Sequence, residues 1–373
     1  MKRTHSPGGA FIKTVLFLIT AAAISCVTYL GWTRLRSVVK FKRVSGMRRR
    51  IVIKRDRAWY EKQRKYTPGA TLESVSFQSK KSATSDDVIT RNGTLLLEKD
   101  APATILMCHG FMTSKDDMGI LRWIFKGYNV MTFDFRAHGE DVVGQCCTFG
   151  GDEMYDVIAA AEFLKENPET KDKPLIVYGF SMGAVASILA QAERPDLFSC
   201  AIWDCPFDSA ADLVARSIDR MNISIFGYNF GLPGRLLLKK YAYHPYVQDI
   251  FKTCLRAIVH MDATQIITSI RPVSPKEAIK KISIPSYFIT CHNDDKAPPS
   301  ALLEIYKNSA AVFKRLWIAA GRRHFDPVFA NPEKYAYKVR DFIKTFLNGN
   351  YVNKIRSKIK EDPCIYEVTF VAE

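Results

Sequence analysis

The chain has 373 residues, 47% hydrophobic and 25% charged, enough to bury a full core and too apolar to be disordered in bulk. Its net charge of +16 suggests a nucleic-acid footprint only until the charges are placed: residues 33–65 hold 14 Lys or Arg against Asp56 and Glu61, residues 1–32 add Lys2, Arg3 and Lys13, and residues 66–373 are nearly neutral. The excess is local, which excludes a nucleic-acid partner, and nine scattered cysteines with no CxxC pair exclude a disulfide framework or a metal site and fit a reducing compartment.

After a basic tail (1–13), residues 14–32 carry no charge for 19 positions, about the length that crosses a bilayer core. This predicts a retained transmembrane helix; a cleaved signal peptide using "AAAIS" is the competing reading, against which the apolar run continues past that site. The basic segment 33–65 that follows should attract anionic lipid headgroups, and by the positive-inside rule it places the rest of the chain in the cytoplasm. The sequons at Asn92 and Asn222 carry no weight.

From about residue 66 strands and helices alternate. "LESVSF" and "GTLLLE" read as leading strands joined by a polar stretch, and "ATILMC" as a short apolar strand. Ser114 then caps a helix over "SKDDMGILRWIFK" with acids in its first turn. "YNVMTF" is a strand, "DEMYDVIAAAEFLKEN" an amphipathic helix, and "PLIVYGF" a buried strand leading into the helix "MGAVASILAQA". "CAIWDC", "IPSYFIT" and "KRLWIA" are further strands, with helices at "LLEIYKNS" and "EKYAYKVRDFIKTFL". The alternation predicts an α/β fold with a mostly parallel central sheet flanked by helices. In such sheets functional groups collect at the carboxyl ends of the strands.

Those strand ends carry the polar residues of interest. Gly179-Phe180-Ser181-Met182-Gly183 is G-x-S-x-G, a sharp strand-to-helix turn that lifts a serine hydroxyl clear of the backbone and leaves no room for side chains two positions away. The pentapeptide alone is a weak signal; strand, turn and helix in this order strengthen it. "HGF" follows "ATILMC", "DFRAHG" follows "YNVMTF", "PFD" follows "CAIWDC", "CHNDD" follows "IPSYFIT", and "AGRRHF" follows "KRLWIA".

On "CHGF", "DFRAHG", "GFSMG", "CHNDDKAPP" and "GRRHF", in that order, the sequence resembles the α/β-hydrolase fold family of serine hydrolases over roughly residues 70–348, nearest to membrane-associated esterase or lipase-like members. The resemblance implies a chain order of serine, acid, histidine. Ser181 is the expected nucleophile and His324 the base that takes its proton, a surface histidine beside Arg322 and Arg323 being the plain alternative. The family pattern sets the acid four residues before a proline, which selects Asp295 against Pro299; counting to Pro298 selects Asp294, and Asp204 is a third candidate. By resemblance the oxyanion donors are the backbone N–H groups of Phe111 and Met182. Met182 has independent support, because it opens a helix and its N–H is one of the orphan donors there. His109, Asp134 and His138 read as loop-shaping residues.

Residues 208–282 are too long for a simple crossover and predict a lid, in which Phe226, Tyr228 and Phe230 line an acyl pocket or merely pack the lid's own core. The expected domains are thus the tail, the anchor (14–32), the juxtamembrane segment (33–65), a hydrolase domain (66–348) and a C-terminal tail (349–373) ending in a strand-like "IYEVTFVAE" without an assigned role. The expected activity is hydrolysis of a lipid-like or long-chain acyl ester at the membrane, without cofactor or metal. Thioesterase, amidase or peptidase action on the same triad and a non-catalytic scaffold stay open as alternatives.

Overall fold

The computed structural model describes residues 40–41, 69–140, 145–219, 222–225, 228–231, 234–244, 267–294, 296–321, 324–349 and 367–370. Nine strands form the main sheet: β1 (Thr71–Ser82), β2 (Ser85–Leu97), β3 (Thr104–Cys108), β4 (Asn129–Phe133), β5 (Leu175–Phe180), β6 (Cys200–Asp204), β7 (Ser286–Cys291), β8 (Lys314–Ala319) and β9 (Glu367–Phe370). Their spatial order is β9-β8-β7-β6-β5-β3-β4-β2-β1. All neighbours from β4 to β9 are parallel, and β1–β2 and β2–β4 are antiparallel.

β3 to β7 are buried along their whole length, as central strands covered on both faces must be. Alternate side chains feed two cores. On one face Leu106, Val177, Trp203 and Phe288 pack with helices α2 (Glu153–Glu166) and α3 (Met182–Glu193). On the other, Ile105, Tyr178, Ile202 and Tyr287 pack against a 3-10 turn, Ile120–Phe125, and the last long helix, Pro332–Leu347.

Two elements depart from expectation. The polar stretch between the leading strands is itself strand, so that β1 and β2 form one long hairpin turning at Ala83 and Thr84. Its outer half is exposed, where polar side chains cost nothing, and Arg136 ties it down. That buried guanidinium donates to both carboxylate oxygens of Asp156 on α2 and to the carbonyls of Lys80 and Lys81. Second, the helix capped by Ser114 is short. A capping box with Asp117 starts α1 (Lys115–Gly119), but after Gly119 the bulky run Leu121–Phe125 is buried as the 3-10 turn.

Between β6 and β7, the described parts are α4 (Ala210–Asp219), an antiparallel hairpin of Asn222–Ile225 and Tyr228–Gly231, α5 (Arg235–Lys240), Ile267–Thr268, which pairs in parallel with Cys146–Cys147, and α6 (Pro275–Ala278). Val214 and Ile218 of α4 pack with Leu238, Ala242 and Ile270. Lys40–Phe41 pairs antiparallel with the first strand of the hairpin. After β7 come α7 (Pro299–Asn308), β8, α8 (Asp326–Ala330) and α9 (Pro332–Leu347), and β9 adds a parallel strand beside β8. Among the described residues no helix is long and apolar enough to cross a membrane; the expected span, 14–32, lies outside them, as does nearly all of 33–65.

Candidate active site

The site is built at the carboxyl end of β5. Ser181 leaves the strand at φ 51° and ψ −114°, in the left-handed half of the map that L side chains rarely adopt, and α3 starts at the next residue. The turn is held by two backbone bonds: Ser181 N–H donates to the carbonyl of Asp204 at 2.8 Å, and Val185 N–H to the carbonyl of Ser181 at 3.1 Å. Both glycines of the pentapeptide are required sterically. A Cβ on Gly179 would stand 2.5 Å from Ala184 Cα, and one on Gly183 would collide with the main-chain carbonyls of Cys108 and His109.

His324, in the loop between β8 and α8, places Nε2 2.7 Å from Ser181 Oγ and Nδ1 2.6 Å from Asp294 Oδ2. Facing a carboxylate, Nδ1 carries the proton and donates it; Nε2 is left as the acceptor for the serine hydroxyl. The acid at the imidazole is Asp294, where the proline spacing had selected Asp295, a residue outside the described ones. The reason is local. Asp294 Oδ1 accepts the backbone N–H groups of Lys296 and Ala297, both at 2.9 Å, a turn that folds its side chain inward until none of it is exposed. Burial alone pushes the Asp294 carboxyl up, but the His324 hydrogen bond and charge and the two N–H donors outweigh it, and the group lies below its ordinary value.

The backbone N–H of Met182 opens α3, where the first N–H groups have no partner within the helix. Phe111 follows Gly110, whose missing side chain lets the ring of Phe180 approach within 2.8 Å of where a Cβ would stand. The loop before Phe111 is fixed from beneath by His109, which is fully buried. Its Nδ1 donates to the Gly110 carbonyl at 2.7 Å and its Nε2 accepts Phe135 N–H at 2.9 Å, and burial pushes it down to about 3, so it is neutral. With both nitrogens engaged, His109 holds the loop and has no free base to offer. Asp134 is likewise committed, to the N–H and ammonium of Lys115, and His138 places Nδ1 against the Arg136 carbonyl.

Asp204 does not reach the imidazole as its acid. Its buried carboxylate accepts Tyr335 O–H at 2.6 Å and Tyr178 O–H at 3.4 Å, and burial pushes it up to about 6 against these donors. No sequence pattern marks this arrangement, since Tyr178 and Tyr335 are 157 residues apart.

Cys205, Asp294 and His324 are the described residues grouped closely enough to hold a metal ion, with atoms within 4.8 Å of one another. Asp294 and His324 are already hydrogen-bonded to each other, and His324 to Ser181, while burial raises the Cys205 thiol well above its ordinary value. The group therefore fits a proton relay better than a metal centre. Around the serine the surroundings are apolar: Phe149 packs on Phe111 with ring centroids 4.7 Å apart, and with Val185, Phe207, Leu213 and Val273 it forms a small core joining α3 to α4. Of the expected pocket aromatics, Phe226 lies outside the described residues, and Tyr228 and Phe230 stand on the hairpin strand Tyr228–Gly231. A surface groove of about 510 Å³ along Trp123, Glu333, Tyr337 and Arg340 shares no residue with this site.

Comparison with known proteins agrees with the geometry. The α/β hydrolase fold family model matches residues 103–242. The uncharacterized protein YqkD of Bacillus subtilis is 29% identical over 250 residues, which cover 65% of this chain and 72% of that protein. Among solved structures, the esterase Pf2001 of Pyrococcus furiosus is similar with a TM-score of 0.54 at 22% identity, over 76% of this chain and 94% of that one. Rv0554 of Mycobacterium tuberculosis is similar with a TM-score of 0.51 at 17% identity, over 73% and 99%. The strand order and the serine turn between β5 and α3 give the chain the α/β-hydrolase fold, and over residues 103–242 its sequence is similar to that family.

Proposed function

We propose that the chain is a serine hydrolase that cleaves an acyl ester through a covalent acyl-enzyme on Ser181. The observation that carries this reading is the chain of short bonds from Ser181 Oγ to His324 Nε2 and from His324 Nδ1 to Asp294. A serine hydroxyl is a poor nucleophile near neutral pH and needs a base within hydrogen-bond reach. As Ser181 Oγ attacks the ester carbonyl, its proton passes to His324 Nε2, and Asp294 stabilises the imidazolium. The N–H groups of Met182 and Phe111 hold the oxyanion, each donor contributing about 2.7–4 kcal/mol. His324 then returns the proton to the leaving alcohol. Water, deprotonated by the same nitrogen, attacks the acyl-serine, and collapse of the second tetrahedral intermediate frees the acid and restores Ser181.

A lipid-like or long-chain acyl group is the proposed substrate class. It is supported by the apolar packing of Phe111, Phe149 and Leu213 beside the elbow and by the apolar segment 14–32, which we take as a single membrane anchor with the domain on the cytoplasmic side. Residues 208–282 act as the lid of a hydrolase domain spanning 66–348. That Pf2001, an esterase, shares the fold is in keeping with this choice.

The test is hydrolysis of p-nitrophenyl esters from acetate to palmitate by the full chain in detergent, with Ser181→Ala as control and a fluorophosphonate as label. Turnover and labelling that both vanish in Ser181→Ala, with an optimum at longer chains, are the expected result. A folded protein that neither labels nor turns over any ester overturns the reading.

A further inference from the structure

Four of the large hydrophobic side chains that stand open to solvent crowd into one short stretch of the insertion between β6 and β7. Leu236 is 83% exposed, Leu237 64%, Tyr241 44% and Tyr243 36%. They are not an unpacked end. The intervening Leu238 and Ala242 face inward and pack on Val214 and Ile218, so α5 has a committed inner face and an apolar outer one. The outer face carries one exposed cation, Lys240, whose ammonium stands over the Tyr241 ring; Lys239 beside it is turned to Asp219 of α4 at 2.7 Å.

A second observation says where this face lies. Lys40 and Phe41 pair antiparallel with Ser224 and Ile223 in the hairpin that leads into α5. Lys40 follows the apolar run by only eight residues, counted from Trp32, and eight residues span at most about 29 Å fully extended. Wherever residues 14–32 leave a bilayer, the hairpin is tethered within that distance of its surface, and α5 begins four residues after the hairpin's second strand ends at Gly231.

We propose that the outer face of α5 and the turn after it, Leu236, Leu237, Tyr241 and Tyr243 with Lys240, docks on the anionic surface of the same membrane that holds residues 14–32. The inference rests on the membrane reading above and adds to it a second, peripheral contact. Two leucines seat below the headgroups, tyrosines take the interfacial level where a ring with one polar end is at home, and Lys240 meets anionic lipid. The insertion that packs on α3 through Leu213 and Phe207 is thereby set between the catalytic serine and the lipid.

The test uses the full chain reconstituted in phosphatidylcholine vesicles with and without phosphatidylserine. Leu237→Trp adds one fluorophore at the proposed contact, and its emission beyond that of the wild type should be quenched by bromine-labelled lipids, more strongly with phosphatidylserine. Lys240→Glu should remove the phosphatidylserine-dependent part. Protein that floats with the vesicles while the added tryptophan stays unquenched overturns the docking face and leaves the anchor standing. Protein that neither floats nor shows quenching overturns both. Activity gives an independent readout: Leu236→Glu with Leu237→Glu should lower turnover of a vesicle-embedded ester several-fold and leave a water-soluble ester within twofold. Equal losses on both substrates count against the proposal.

Discussion

The backbone N–H of Ser181 donates to the carbonyl oxygen of Asp204 at 2.8 Å, which fixes the elbow from the neighbouring strand while Ser181 stays at φ 51°. The conformation is one that glycine alone adopts without strain. Ser181→Gly is therefore expected to abolish turnover and to raise stability. Relief of strain is worth about 1–3 kcal/mol against about 0.5–1 kcal/mol for the added freedom of a glycine in the unfolded chain. Thermal unfolding of the two proteins decides the sign, and a lower Tm in the variant contradicts the strain.

Gly183→Ala is expected to act through packing. Its Cβ would press into the carbonyls of Cys108 and His109, main-chain atoms at the end of a central strand that have nowhere to go. Overpacking of this kind costs about 1–3 kcal/mol, and the shift of α3 moves Met182 and Ser181 with it. Gly127→Ala is the control, since nothing lies within 4 Å of its Cβ position and only the φ of +88° opposes it. Both variants should lose stability; only the first should lose most of its kcat.

The identity of the acid is tested by a pair of neighbours. Asp294→Asn is expected to lower kcat on the order of 10⁴-fold by disturbing the imidazole tautomer and withdrawing support from the imidazolium. Asp295→Asn should stay within a few-fold of wild type. Steady-state kinetics on one soluble ester suffices, and the reverse ranking would return the role to Asp295.

Two buried groups give stability opposite pH slopes. The fold holds Asp204 at about 6 against an ordinary 3.8, so its contribution is whole below pH 3.8 and is lost as pH rises through about 6. His109 is held at about 3 against 6.5; its contribution is whole above pH 6.5 and is lost as pH falls toward 3. Removing the first by Asp204→Asn should steepen the loss of stability between pH 6 and pH 4 by up to about 1.4 kcal/mol per pH unit. At pH 8 the variant gains at most about 3 kcal/mol, reduced because an amide N–H replaces Oδ1, which has no hydrogen-bond partner among the described residues. Urea unfolding at a series of pH values measures both effects.

The serine turn was legible in the sequence because every requirement on it is local: a buried strand, two absent side chains and a helix follow one another within nineteen residues. The alternation of strands and helices was legible for a similar reason, being set by each segment's own periodicity. The acid was not. Whether Asp294 or its neighbour faces His324 depends on which carboxylate captures the N–H groups of Lys296 and Ala297, and counting to a proline does not report that. The long β1–β2 hairpin was missed because its outer half is stabilised by Arg136, more than fifty residues away, and carries little apolar signal of its own. The hairpin strands of the insertion are four residues each and α5 is six, too short for periodicity to register.

The bond between the hydroxyls of Tyr178 and Tyr335, 2.8 Å apart and shared with Asp204, has a consequence for how the protein is made. Synthesis at about 5–20 residues per second leaves roughly 10–30 s between the emergence of the two tyrosines. Throughout that interval Asp204 lacks its strongest donor, and the face of the sheet that α9 will cover, including Tyr178 and Ile202, is open. The nascent chain thus exposes its most apolar strands before it can close them, a window in which a ribosome-associated chaperone has a defined surface to hold.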